Sequence, residues 1–210
     1  MGISIVFPHL IGEEQNRVLE LNLKMIKEHT LGQYEILFLG TTNRKDLVYQ
    51  GFNILASLAK YEHILFTNTD VLLAKDWDKN IHNCNADWIS FRIVECGAIG
   101  SDGAMISKNF GMTAKDFRYN EFETFMKQEY KGRPEYEDGF VWYMPSVIKK
   151  SKFMELGGFE TYPPFPQAAH DITFRNKAVQ EGWTFKISNY SWAYHLQRAR
   201  ENNHDKPERI

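Results

Sequence analysis

Cysteine is nearly absent from this chain: Cys84 and Cys96 are the only two in 210 residues. They form neither a disulfide framework nor a zinc-binding spacing, so free thiols in a reducing, cytoplasmic setting are expected. Long apolar runs are missing too, and no stretch approaches the roughly 18 residues of a membrane span. The amino terminus runs straight into Ile3-Ser4-Ile5-Val6-Phe7, without the basic segment and apolar core of a secretion signal. Peripheral contact with a membrane stays open. Neither sign of charge dominates, with Lys+Arg 25 against Asp+Glu 27. There is no basic stripe, which argues against a nucleic-acid partner. Glycine-rich phosphate loops are also lacking: the first strand is not followed by Gly-x-Gly-x-x-Gly, and Gly157-Gly158 lacks the Lys-Ser/Thr of a P-loop. Those absences weigh against a kinase or a nicotinamide enzyme.

Apolar material is plentiful, at 43% of residues with 14% aromatic, enough for one well-buried α/β domain. Gly2 to Phe7 reads as a strand stopped by Pro8-His9, and Glu13 to Glu28 as an amphipathic helix. Tyr34 to Leu39 reads as a strand, Lys45 to Lys60 as a helix and His63 to Phe66 as a third strand. This alternation predicts a parallel sheet with right-handed crossovers. Farther on, the pattern predicts a short helix over Asp76 to Asn83, a strand over Trp88 to Val94 and a loop-rich stretch from Gly97 to Arg118. A helix over Phe122 to Tyr130 and a strand over Phe140 to Ile148 follow. Next come a helix over Lys152 to Leu156 closed by Gly157-Gly158, and one over Asp171 to Glu181 closed by Gly182. Phe185 to Ser188 and Trp192 to His195 read as final short strands, and Arg198 to Ile210 as a polar tail or linker.

The informative interruption lies in His63-Ile64-Leu65-Phe66-Thr67-Asn68-Thr69-Asp70-Val71-Leu72-Leu73. A carboxylate in mid-run is costly to bury unpaired, so Asp70 is expected where a strand surfaces at its carboxyl end. Open α/β sheets bind ligands there. Asn68 and Asp70 offer oxygens suited to a hard divalent ion holding a diphosphate; an ordinary Asx-type turn is the competing reading. Asp171 reads either as a helix N-cap or as a general base beside a cleft. His195 reads as a metal ligand or as a hydrogen-bonded histidine in an aromatic setting, and Arg198 and Arg200 as phosphate contacts or solvated surface arginines. Trp142, Tyr143, Trp183, Trp192 and Tyr194 would suit a sugar-facing wall or simply fill the core.

In order along the chain, these segments resemble a glycosyltransferase of the GT-A fold, most like the large inverting family 2, from Ile3 to about His195. The strand ended by Pro8 is similar to the family's first nucleotide-binding strand. Asn53 precedes Asn68 by the 15 residues that the family places between a helix Asn and its Asp-x-Asp motif, where Asn68-Thr69-Asp70 falls. Phe153-Met154-Glu155-Leu156-Gly157-Gly158-Phe159-Glu160 resembles the acceptor-side Gly-Gly-Phe-Asp-Glu signature. The stretch from His170-Asp171 to Gly182-Trp183 resembles the Glu-Asp-x-Asp-Leu helix.

The resemblance implies a single Rossmann-like nucleotide-diphospho-sugar transferase domain over residues 1–197, with a mainly parallel sheet flanked by helices. A nucleotide-sugar half (1–94) and an acceptor half (95–197) would be followed by a tail (198–210), with the whole serving as one domain of a larger multifunctional protein. It implies an inverting, metal-dependent transfer of a hexose from a UDP-sugar to a carbohydrate hydroxyl of a glycan acceptor, with Mn2+ or Mg2+. Asp171 would be the base, with Asp70 and His195 holding the metal. Pro8, His9, Thr41, Asn53, Asn68, Thr69 and Asp70 would line the donor side, and Asp138, Trp142, Gly157 and Gly158 the acceptor side. Three departures from the pattern stand out: Asn68 replaces the first Asp, His170 replaces a Glu, and Gly40-Thr41-Thr42-Asn43 stands where an acidic residue near the nucleobase is usual. Asn68 favours a catalytically silent glycan- or nucleotide-binding domain as the alternative. A sugar-1-phosphate nucleotidyltransferase would need a glycine-rich basic loop that His9 to Glu14 does not supply.

Overall fold

The computed structural model describes residues 2–41, 48–96, 105–139, 144–161 and 167–196. Strand β1 (Gly2–Leu10), helix α1 (Glu13–His29), β2 (Gln33–Thr41), α2 (Val48–Leu58) and β3 (His63–Phe66) come first. β1 pairs in parallel with both β2 and β3, as the alternation predicts. Next come β4 (Val71–Leu73), a 3-10 turn (Ile81–Asn83), β5 (Trp88–Glu95), β6 (Met105–Ser107), α3 (Tyr119–Glu129) and β7 (Tyr136–Asp138). The chain continues through β8 (Ser146–Lys149), α4 (Lys150–Glu155), α5 (Gln167–Gln180) and β9 (Phe185–His195).

The strands form one mixed sheet in the order β2-β1-β3-β8-β5-β9-β4, with β6 on β5 and β7 on β9. The long ladders, β1 with β2 and β5 with β9, are parallel; β8 is inserted antiparallel between β3 and β5. Side-chain alternation along β1 explains the two-sided core. Ile3, Ile5 and Phe7 pack with Ile26 of α1 and with Trp77 on one face. Val6 packs with Phe52 and Leu55 of α2, Phe153 of α4 and Phe174 of α5 on the other. A third cluster seats Phe122 and Met126 of α3 against Trp192 and Tyr194 of β9. Helix α1 carries Glu13 and Glu14 in its first turn and Lys27 and His29 in its last, matching the helix dipole at both ends.

Several elements differ from the sequence expectation. Asp76 to Asn83 is a series of turns ending in the 3-10 turn, because Asp76 takes φ 59, a left-handed conformation that a helix does not accept. The strand expected over Phe140 to Ile148 begins only at Ser146, since Pro145 has no N–H for a ladder; residues 140–143 lie outside the described residues. Helix α3 begins at Tyr119 rather than Phe122. The two short final strands are the ends of β9, joined through a register shift opposite Phe91/Arg92. That irregularity is pinned by Asn189, fully buried, which accepts from Arg92 Nε (2.9 Å) and donates to Glu137 Oε1 (2.8 Å). Cys84 and Cys96 are free, buried thiols, as expected. Among the described residues no helix is long and apolar enough to cross a membrane.

Candidate active site

The interrupted run ends where the sequence argument places it, past the carboxyl end of β3. Asn68-Thr69-Asp70 forms a turn that crosses from one part of the sheet edge to another. Thr69 Oγ1 donates to Pro8 O (3.2 Å), at the end of β1, and Leu196 N–H donates to Asp70 O (2.9 Å), at the end of β9. Adjacent residues lie 3.8 Å apart, whereas β1 and β9 are four strands apart, about 19 Å in a flat sheet. Twist and curl therefore bring the two strand ends together beneath this turn. Asn22 of α1, fully buried, holds the turn from below by donating Nδ2 to Thr69 O (2.7 Å) and Val71 O (3.2 Å). His9 lies 3.3 Å from Thr69 Oγ1 through Nδ1 and 2.9 Å from Asn16 Oδ1 through Nε2.

Asp70 and His195 come together. Val71 partners His195 in the β4/β9 ladder, and His195 partners Glu95 in the β5/β9 ladder, so three neighbouring strand ends present Asp70, His195 and Glu95 side by side. His195 Nδ1 is 2.8 Å from Glu95 Oε2, and Nε2 is 3.5 Å from Asp70 Oδ2. Nε2 is buried and makes no hydrogen bond of ordinary length. Burial disfavours the imidazolium, but the Asp70 and Glu95 carboxylates outweigh it and raise His195 to about 9.

A buried ring nitrogen 3.5 Å from a carboxylate and without a hydrogen bond of ordinary length fits, once it gives up its proton, a divalent cation held between the two. Among the described residues no cluster of three or more His, Cys, Asp or Glu side chains is arranged to enclose a metal. Asp70 and His195 would thus supply a minority of the ligands, the arrangement magnesium-type ions adopt with diphosphates and water. Without a cation, the raised His195 value has a stability consequence of definite sign. The imidazolium's contribution is complete below the ordinary value of 6.5 and is lost as pH rises through about 9. Denaturant unfolding of the metal-free protein is expected to show a midpoint that falls across this window, and a His195→Asn variant should lack that fall.

Glu95 was not among the residues singled out from sequence. The signal was present, because it closes the apolar strand from Trp88 with a carboxylate, as Asp70 interrupts its own run.

Asp171 sits elsewhere on the same edge. Helix α5 begins at Gln167, so Asp171 is its fifth residue and does not cap it, contrary to the helix start expected at this position. Its Oδ1 accepts from Ile172 N–H (3.1 Å), and Tyr49 of α2 donates a hydroxyl hydrogen bond to the carboxylate. Burial raises the Asp171 carboxyl, against the lowering effect of these bonds. Tyr49 lies two residues before Gly51, which packs at Pro8, so α2 links Asp171 to the end of β1. His170 packs against Tyr49 with ring centroids 5.0 Å apart.

Other expected site residues serve the frame. Asn53 donates Nδ2 to Phe159 O (2.8 Å) and accepts from Phe159 N–H at Oδ1 (2.9 Å), so both ends of its amide lock α2 to the turn after α4. Gly157 and Gly158 form that turn at φ 79 and 72. A Cβ at Gly158 would stand 2.5 Å from Asn53 Oδ1. Gly158→Ala is expected to cost roughly 1–3 kcal/mol, from a left-handed conformation and a clash with a committed amide, measurable by denaturant unfolding. Asp138 is ion-paired with Lys186 (2.6 Å) near the start of β9, roughly 20 Å from His195 as measured along the paired strand β5 from Ile89 to Glu95, and is not brought to the cluster. Thr41 is buried opposite Leu10 at the end of β2. Trp183, Trp192 and Tyr194 are buried in the core, which removes them from any sugar-facing wall. Trp142, Tyr143, Thr42, Arg198 and Arg200 lie outside the described residues.

No protein-family model and no curated protein matches the chain by sequence. Solved structures do match its fold, among them glycosyltransferases. The chain aligns with Staphylococcus aureus TarS residues 1–349 at TM-score 0.64 and 12% identity, covering 93% of this chain and 60% of that one. It aligns with the catalytic domain of Drosophila β1,4-galactosyltransferase 7 at 0.57 and 10% identity, covering all of this chain and 76% of that one. GalNAc-T7, in a structure with UDP, GalNAc and Mn2+, aligns at 0.59 and 13% identity, covering 93% and 44%. The chain thus has a GT-A-like glycosyltransferase fold, a mixed α/β sheet with helices on both faces. It spans about 60% of the TarS segment.

Proposed function

We propose that the chain is a nucleotide-sugar-dependent glycosyltransferase that moves a hexose from a UDP-sugar to a carbohydrate hydroxyl with inversion at the anomeric carbon. The observation that carries this reading is the Asp70–His195 pair at the carboxyl edge of the sheet, with a buried Nε2 that lacks a hydrogen bond of ordinary length. TarS in complex with UDP-GlcNAc and GalNAc-T7 with UDP, GalNAc and Mn2+ share this fold, which supports a UDP-sugar donor and a manganese or magnesium ion here.

Asp70 and His195 would hold the cation, with Pro8, His9, Thr41, Thr69 and Asn68 around the donor. When bound, that ion offsets the negative charge developing on the departing diphosphate. Asp171 accepts the proton of the acceptor hydroxyl as its oxygen bonds to the anomeric carbon. The bond from that carbon to the diphosphate oxygen breaks on the opposite face, its electron pair leaving with UDP. Inverting glycosidases likewise use a carboxylate to activate the attacking oxygen. By the resemblance, residues 1–94 would supply the donor half and 95–197 the acceptor half, with the Gly157-Gly158 turn on the acceptor side. The buried free thiols support a cytoplasmic location.

Asn68 favours a second reading, a GT-A-like domain that binds nucleotide without turnover, because it removes one negative charge from the cation site. Incubation with a panel of UDP-sugars, Mn2+ and glycan acceptors separates the two. UDP release with a product of inverted anomeric configuration by NMR is expected. UDP binding without release from any donor would overturn the transferase reading in favour of the silent domain.

A further inference from the structure

The ring of His195 has two nitrogens, and only one can face a cation. Its Nδ1 is 2.8 Å from Glu95 Oε2, a carboxylate 3% exposed on the neighbouring strand. An ionised carboxylate only accepts hydrogen bonds, so Nδ1 carries the proton of this contact. In the neutral ring, the lone pair is then on Nε2, the atom 3.5 Å from Asp70 Oδ2 that makes no ordinary hydrogen bond. We propose that Glu95 is a positioning residue for the cation site: its buried carboxylate fixes His195 in the Nδ1–H tautomer and aims Nε2, with Asp70, at a divalent ion that carries a nucleoside diphosphate. This inference rests on the reading of Asp70 and His195 as cation ligands.

The backbone already closes these strand ends, which leaves the Glu95 side chain a role of its own. Lys108 N–H donates to Glu95 O (2.9 Å), Cys96 N–H to His195 O (3.4 Å) and Leu196 N–H to Asp70 O (2.9 Å). Burying a carboxylate costs stability that a merely structural position would avoid with an apolar residue. A histidine ligand, by contrast, needs an acceptor on its other nitrogen to fix both tautomer and ring orientation. With that acceptor gone, the ring is free to take the Nε2–H tautomer, which cannot ligate, and to rotate.

The test measures Mn2+ binding to the full chain by electron paramagnetic resonance in the presence of UDP. Glu95→Ala is expected to weaken Mn2+ binding by about 10- to 100-fold. Glu95→Gln, whose amide oxygen still accepts from Nδ1–H, should lose less. Nitrogen NMR of the imidazole in the UDP and Mg2+ complex should show the single Nδ1–H tautomer in the wild type and in Glu95→Gln, and a mixture in Glu95→Ala. Should Glu95→Ala fail to fold, Glu95→Gln decides: a loss larger than tenfold with the tautomer unchanged would contradict the account. Wild-type Mn2+ binding with equal affinity in Glu95→Ala overturns the positioning role alone. No Mn2+ binding by the wild type overturns the cation-site reading and this inference with it.

Discussion

Replacing Asp171 with Asn is expected to slow sugar transfer roughly a hundred- to ten-thousand-fold while leaving UDP affinity nearly unchanged. Asn keeps the volume and one accepting oxygen, so the contact with Ile172 N–H is retained. The variant cannot take up the acceptor proton. Turnover with bound donor, compared with UDP affinity by calorimetry, reads the two effects separately, and retained turnover would move the base to another residue. Burial raises the Asp171 carboxyl, so its ionised, accepting form is reached only above the ordinary carboxylate value. The acid limb of kcat/KM should accordingly lie above 3.8, and Tyr49→Phe, which removes a bond that stabilises the carboxylate, should move it higher.

The second large effect is expected at Asp70. Asp70→Ala removes the carboxylate that faces His195 Nε2, so the cation-dependent part of UDP affinity should fall by at least about tenfold. The turn itself should persist. Its position depends on backbone and neighbouring groups that the substitution leaves alone: Asn22 on the carbonyls, Thr69 on Pro8 O, and Leu196 N–H on Asp70 O. Retained folding, with a lowered melting temperature at neutral pH because the His195 imidazolium loses the Asp70 carboxylate that supports it, together with weakened Mn2+-dependent UDP binding, is the expected pair of results. Unchanged UDP affinity would remove Asp70 from the site.

Much of this was legible in the sequence because burial patterns are local. Alternation along β1 and apolar spacing in α1 and α2 predict the parallel β1–β3 core, and the carboxylate in mid-run predicts a surfacing strand end at Asp70. What escaped depends on neighbours distant in the chain. Nothing near Glu95 indicates that β5 will align it with a residue 100 positions later. The helix preceding Asp171 was also missed, since Gln167 to His170 follow a proline cluster and carry weak apolar periodicity. Asn53 shows the opposite case. Its spacing to Asn68 matched a nucleotide-binding pattern, while its amide is committed to the Phe159 backbone, a long-range contact that local pattern does not disclose.

The central claim is that Asp70 and His195 hold a cation that carries a nucleoside diphosphate. Calorimetric titration of UDP into the protein, with Mn2+ and then with the metal chelated, tests it most directly. Saturable binding at one site in Mn2+, weakened at least tenfold by chelation, is the predicted result. Equal affinity with and without the metal, or no UDP binding in either state, would contradict it.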